Sequence, residues 1–156
     1  MSLNSVKEEF KKYGIEDRIL EFNDTSKTVY DASLRLNCKK AEIAKTMSFL
    51  VDDKVIVIVL SGDAKIDNSK YKHYFNTKAK MIPFDRVEEL TSHPVGGVCP
   101  FGLKEGIEVY LDNSLKQFDY VYPACGSDNS AIKLTINELE RYSNHKSWID
   151  VSKITN

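Results

Sequence analysis

Cysteine, histidine, proline and glycine are all scarce in this chain, with three, three, four and seven residues among 156. Cys38, Cys99 and Cys125 stand far apart with no CxxC pair. That pattern excludes a disulfide framework and a cysteine zinc site, and it fits a reducing, cytoplasmic setting. His73, His93 and His145 are scattered without the spacing of a metal site, so no metal is expected. Long apolar runs are missing too. The longest, Val55 to Leu60, is far short of a bilayer span, and the opening MSLNSVKEEF has charges where a signal peptide needs an apolar segment. A soluble protein that is not exported and has no membrane partner is expected. Charge of one sign is equally absent. With 22 basic and 23 acidic side chains the net charge is -1, so long nucleic-acid contacts and DNA binding are not expected and any RNA contact must be local. No Walker loop, no GxGxxG after a strand and no GxSxG elbow occurs, which removes the common nucleotide-binding and serine-hydrolase readings.

What is present suits an ordinary folded domain. The chain is 42% hydrophobic and 29% charged and has no linker, repeat or low-complexity tract, so residues 1–156 are expected to form one domain, monomeric by default. SVKEEFKKYG predicts a short helix with Ser5 as N-cap and Gly14 as stop. RILEFND is a strand candidate. A second helix sits behind Ser26 or Thr28 and ends at Asn37. KKAEIA is a short turn or helix before the strand KTMSFLV, which Lys45 opens. The acidic turn Asp52-Asp53 then leads into KVIVIVLSG, a β-branched buried strand completing a hairpin. Further on, Asp67 or Asn68 caps a helix, KMIPF is extended and FDRVEELT is helical up to Pro94. IEVYLD, FDYVYPAC and SAIKLT are strand candidates with a short NSLKQF helix among them. TINELERYS carries a capping box of Thr135 and Glu138, and SWIDVSK closes the chain. The sum is a mixed α/β fold, a curled β-sheet or open barrel flanked by helices, not a doubly wound parallel sheet.

Two of the four prolines and three of the seven glycines fall in the stretch TSHPVGGVCPFGL, from Thr91 to Leu103. Gly96, Gly97 and Gly102 permit positive φ and close approach of a ligand to the main chain, while Pro94 and Pro100 stiffen the loop. Such a loop presents backbone amides to an anion or oxyanion; the alternative is a tight turn between two elements. Cys99, with His93 six residues earlier, invites a thiol-nucleophile reading against that of a small buried residue. Lys45 is a candidate point charge for a phosphate. PACGSDNSA, from Pro123 to Ala131, offers Gly126 for a bend and Ser127, Asp128 and Asn129 as polar groups, or else is a polar hairpin turn.

The ordered set IAKTMSFLV, VIVIVLSGDAKID, GGVCPFGL with Gly-x-x-x-Pro from Gly96 to Pro100, VYLDNSL and YPACGS resembles the YbaK/EbsC family of aminoacyl-tRNA deacylases. These are relatives of the editing domain inserted in bacterial prolyl-tRNA synthetases. The likeness runs from about Glu21 to Val151 and departs at Ser92, where the family often has glycine. It implies the YbaK-like fold and hydrolysis of a mischarged aminoacyl-tRNA without a cofactor, typically tRNA for proline carrying a small non-proline amino acid. It further implies that Lys45 holds the phosphate or terminal adenosine of the acceptor end. Gly96, Gly97, Val98 and Pro100 would contact the ester and the attacking water through the backbone. Cys99 is then a loop residue and not a nucleophile, and Thr46, Gly126, Ser127, Asp128 and Asn129 line the amino-acid pocket. The expected partner is the aminoacyl-tRNA acceptor end, with a prolyl-tRNA synthetase or elongation factor as a source of further affinity. The alternatives are a noncatalytic module of the same fold that binds the acceptor end or a synthetase, and a thiol hydrolase built on Cys99 and His93.

Overall fold

The computed structural model describes residues 2–24 and 28–154, so the cap candidate Ser26 lies outside the described residues. In chain order the elements are α1 (Ser2–Lys11), β1 (Leu20–Glu21), α2 (Val29–Leu36), β2 (Ile43–Val51), β3 (Lys54–Ser61) and β4 (Ala64–Ile66). There follow α3 (Asn68–Phe75), α4 (Val87–Thr91), β5 (Glu108–Asp112), β6 (Tyr120–Pro123), β7 (Ser130–Ala131) and β8 (Leu134–Thr135). The chain closes with α5 (Ile136–Ser143), β9 (Ser147–Ile149) and β10 (Ser152–Ile154). Six strands form one curled mixed sheet in the order β8-β6-β2-β3-β5-β9, while β1 pairs with β7 and β10 with β4. The expected mixed, curled α/β fold is the one observed.

Local chemistry sets many of the boundaries. The Thr28 hydroxyl accepts from the Asp31 N–H at 3.0 Å to start α2, and Asn37 ends that helix in the left-handed region at φ 52°. Asp67 caps α3 by accepting from Ser69 and Lys70. The capping box of α5 is complete, with Glu138 N–H on Thr135 and Thr135 N–H on Glu138. Asp52 and Asp53 both take positive φ, 48° and 68°, the turn that matches hairpin twist, and β2 pairs β3 in the expected antiparallel register.

Four expectations need correction. Ser5 is inside α1 rather than capping it, because the helix begins at Ser2. RILEFND yields only the two residues of β1. SAIKLT is split into β7 and β8, which pair with different neighbours. Lys45 does not open its strand; β2 starts at Ile43, where two residues pair in parallel with β6.

β3 is central and buried on both faces. Alternation sends Val57 and Val59 to a core with Val6, Phe10, Leu111 and Leu115. It sends Ile56, Ile58 and Leu60 to a second core with Phe49, Tyr71 and Ile149. Each such side chain contributes about 1.5–3 kcal/mol by leaving water, and together they make a rigid floor for the neighbouring edge of β2. Ser92, the departure from the family pattern, ends α4 at φ 78° with its N–H on Glu88 O. That is the backbone region glycine enters freely and serine does not.

Candidate active site

β2 has a break in its outer pairing. Ile43 and Ala44 pair with β6. Farther along, Ser48 O accepts from Ile82 N–H and Leu50 N–H donates to Lys80 O, at 3.2 and 2.9 Å. Between these two attachments, Lys45 to Met47 pair with β3 on one side but have no strand on their outer side among the described residues. Because Ser48 and Leu50 direct their backbone groups outward, alternation sends the Thr46 N–H and C=O into this gap. A cavity of about 490 Å³ fills it. One wall is the inner face of α2, where Val29, Ala32 and Leu36 recur at helical spacing; a second is the strip with Met81, Ile82 and Phe84; the third holds Gly96, Val98, Ser127 and Asp128.

The lining is mostly apolar, which makes its few polar groups informative. Lys45 is half-buried, and its ammonium makes no hydrogen bond or ion pair with another described residue. Burial pushes its pKa below the ordinary lysine value, partly countered by the negative charge of Asp63. Asp128, also half-buried, likewise has no hydrogen bond or ion pair among the described residues. The Thr46 hydroxyl is buried without a partner among the described residues.

The proline- and glycine-rich loop is a tight turn and a cavity wall at once. Gly97 N–H donates to Pro94 O at 2.9 Å, so that amide is already engaged. Gly96 sits at φ 91° on the cavity, and neither its N–H nor that of Val98 has a backbone partner among the described residues. Gly97 has a steric role: a Cβ there would lie 2.7 Å from the backbone of Gly126 and Ser127. The two loops that bound the cavity therefore touch main chain to main chain.

Below this contact the groups are sealed. Cys99 is 0% exposed, and desolvation pushes its thiol far above the ordinary value. Its sulfur lies 3.5 Å from His93 Nε2, but that nitrogen is 2.6 Å from Phe101 O and must carry its proton to donate there. Nε2 is thus unable to take the thiol proton, and burial also lowers the His93 pKa. The pair is packing, not a nucleophile and its base.

Of the residues expected to form the site, Lys45, Thr46, Gly96, Val98, Ser127 and Asp128 meet on one cavity. Gly97, Cys99, Pro100 and Gly126 are buried behind it. Asn129 turns away: its Nδ2 donates to Phe22 O at 2.9 Å, and its Oδ1 accepts from Ser127 Oγ at 2.8 Å. It braces the 127–130 loop against the chain after β1. Sequence reasoning missed the inner face of α2 and the Met81–Phe84 strip. Nothing local marks KMIPF as a cavity rim, although an apolar run carrying an aromatic between polar segments was the available signal.

Comparison with known proteins places this geometry. The profile of the aminoacyl-tRNA editing domain matches residues 24–142. The uncharacterized protein YwhH of Bacillus subtilis (strain 168) is 50% identical over 154 residues, covering 98% of either chain. Proline--tRNA ligase of Bacillus cytotoxicus is 28% identical over 116 residues, which are 74% of this chain and 20% of the ligase. A solved structure of a proposed trans-editing enzyme for prolyl tRNA synthetase superposes with a TM-score of 0.87 over 97% of both chains at 22% identity, a likeness of fold. The hypothetical protein APE2540 superposes at 0.80 with 26% identity, over 93% of this chain and 99% of that one.

Proposed function

Since the chain belongs to the aminoacyl-tRNA editing domain family, we propose that it is a single-domain, monomeric hydrolase acting in trans, which clears tRNA for proline of a small non-proline amino acid. The observation that carries this reading is Lys45. A half-buried lysine whose ammonium has no hydrogen bond or ion pair among the described residues, on a cavity that the Gly96 loop also lines, is poised for a phosphate of the acceptor end.

Action in trans is supported by the match to YwhH over 98% of that protein's length. The substrate ester is already activated, so the protein has mainly to position it and stabilise charge. In this reading the acceptor end enters with its phosphate toward Lys45, and the aminoacyl carbonyl lies against the Gly96 loop. Water attacks the carbonyl carbon, and the N–H groups of Gly96 and Val98, which have no backbone partner among the described residues, stabilise the developing oxyanion. The ester oxygen leaves on the ribose and takes a proton, with the neighbouring ribose hydroxyl assisting. Asp128 and Ser127 edge the amino-acid end. No cofactor enters the reaction. A prolyl-tRNA synthetase or elongation factor supplies additional affinity for a domain whose own RNA contact is small.

The test is deacylation of tRNA for proline charged with alanine, cysteine, serine, threonine or proline. Clearance of one mischarged species over many turnovers, with proline spared, is the expected result. Retention of every species without turnover would replace the hydrolase by a noncatalytic acceptor-end binder.

A further inference from the structure

We infer that the strip from Lys78 to Phe84 is the nucleotide platform of this site, with Phe84 stacking on the terminal base and Lys78 and Lys80 meeting the phosphates that precede it. The inference rests on the tRNA reading above and adds which surface carries the RNA.

Three observations lead there. Phe84 is 78% exposed and Met81 55%, yet both line the cavity. No other large apolar side chain among the described residues is as exposed as Phe84. An aromatic ring held at a cavity mouth presents a bare stacking face, the feature that single-stranded nucleic-acid sites use on any base.

Charge is the second observation. From Asn68 to Phe84 the chain carries Lys70, Lys72, Lys78 and Lys80 and not one Asp or Glu, although the whole molecule has a net charge of -1. Only Lys70 of these has an ion pair among the described residues, with Asp150. Lys72, Lys78 and Lys80 are exposed. The run itself carries no acid, a local electrostatic footprint for phosphates, although Asp52 and Asp53 of the β2–β3 turn share a small surface pocket with Lys78 and Lys80.

The third observation is rigidity and order. The Lys80 O and Ile82 N–H bonds fasten the strip to the edge of β2, so its side chains ride on the buried sheet and not on a loose loop. Along the strip the order is lysines, then Met81 and Phe84. A strand of RNA laid on it with its terminal base at Phe84 has its preceding phosphates over Lys80 and Lys78, and its terminal ribose ester directed into the cavity that holds Lys45 and Gly96.

The experiment has a binding arm and a turnover arm. In the first, an acceptor-stem minihelix ending in 2-aminopurine is titrated with parent, Phe84→Leu and Phe84→Tyr. Stacking predicts quenching by the parent and the tyrosine variant and its loss with leucine. In the second, kcat/KM on alanyl-tRNA for proline is measured against salt. Phe84→Leu is expected to cost roughly tenfold, and Lys78→Ala with Lys80→Ala to lower the salt slope by roughly one unit. Lys12→Ala, beyond the end of α1, is expected to leave it unchanged. Equal quenching by Phe84→Leu together with an unchanged slope in the lysine variants would overturn the platform. Failure of the parent to turn over any charged tRNA would instead count against the hydrolase reading, and the quenching arm would still decide the platform.

Discussion

Asp112 and Lys45 are both charged side chains drawn out of water, and the fold treats them in opposite ways. Asp112, at the end of β5, is 0% exposed. Its carboxylate accepts from the N–H of Ser114 and of Val151, both at 2.9 Å, and from the Ser152 hydroxyl at 2.5 Å. It fastens the start of a short helical turn and the last strand to the sheet. Lys45, two strands away, is half-buried, and its ammonium has no hydrogen bond or ion pair among the described residues. A saturated buried charge is architecture. A desolvated charge left open on a cavity costs stability, and in the proposed reading it is retained for the phosphate it binds.

Exchanging the two truncations tests this contrast most strongly. Lys45→Ala is expected to lower kcat/KM for deacylation by roughly a hundred- to a thousandfold with an unchanged or raised Tm. Asp112→Ala leaves three donors without a partner, two of them buried, and is expected to cost about 3–5 kcal/mol, lowering Tm by about 10 °C or more. An equal loss of Tm in both variants would erase the distinction. Gly97→Ala lies between them, because its Cβ would meet the Gly126 and Ser127 backbone at 2.7 Å. It should cost about 1–3 kcal/mol by overpacking and reduce activity by moving the cavity wall; full activity on a stable fold would show the two loops to be independent.

A surface pair sharpens the comparison from the other side. Glu138 is held down to about 2 by the Arg18 guanidinium and the Thr135 cap. Being depressed, it contributes stability that is full above about pH 4.5 and fades as pH falls toward 2. Glu138→Gln should flatten thermal stability against pH across that window, whereas Lys45→Ala should not. Ser92→Gly removes a serine from φ 78° and should raise stability by about 0.5 kcal/mol, read as a Tm increase of about 1–2 °C. Smallest is Cys99→Ala, for which activity within about twofold of the parent is expected, since the thiol is sealed and protonated. A loss of several orders of magnitude there would make the thiol the nucleophile.

The helix ends at Thr28, Asn37, Asp67 and Thr135 and the turn at Asp52-Asp53 were legible because each depends on a few adjacent residues whose backbone needs are local. The strand with Lys45 was legible as a strand but not in its start, since Ile43 and Ala44 join it only by pairing with β6, far along the chain. Gly97 was legible as special, but its reason was not: its hydrogen atom is needed by the backbone of Gly126 and Ser127. Asn129, read as a pocket group, is committed to Phe22, a contact that spacing does not encode. Phe84 escaped notice because exposure is a property of the folded surface.

Composition, alternation, caps and the ordered motifs therefore determined on their own the mixed α/β class, the family and the short list of groups able to do chemistry, because hydrophobic period and capping are written in neighbouring residues. Only the tertiary structure decided which of those groups share a cavity, because the break in β2 pairing, the contact of two glycine loops and the burial of Cys99 all join residues distant in the chain, and closeness of that kind is settled by packing.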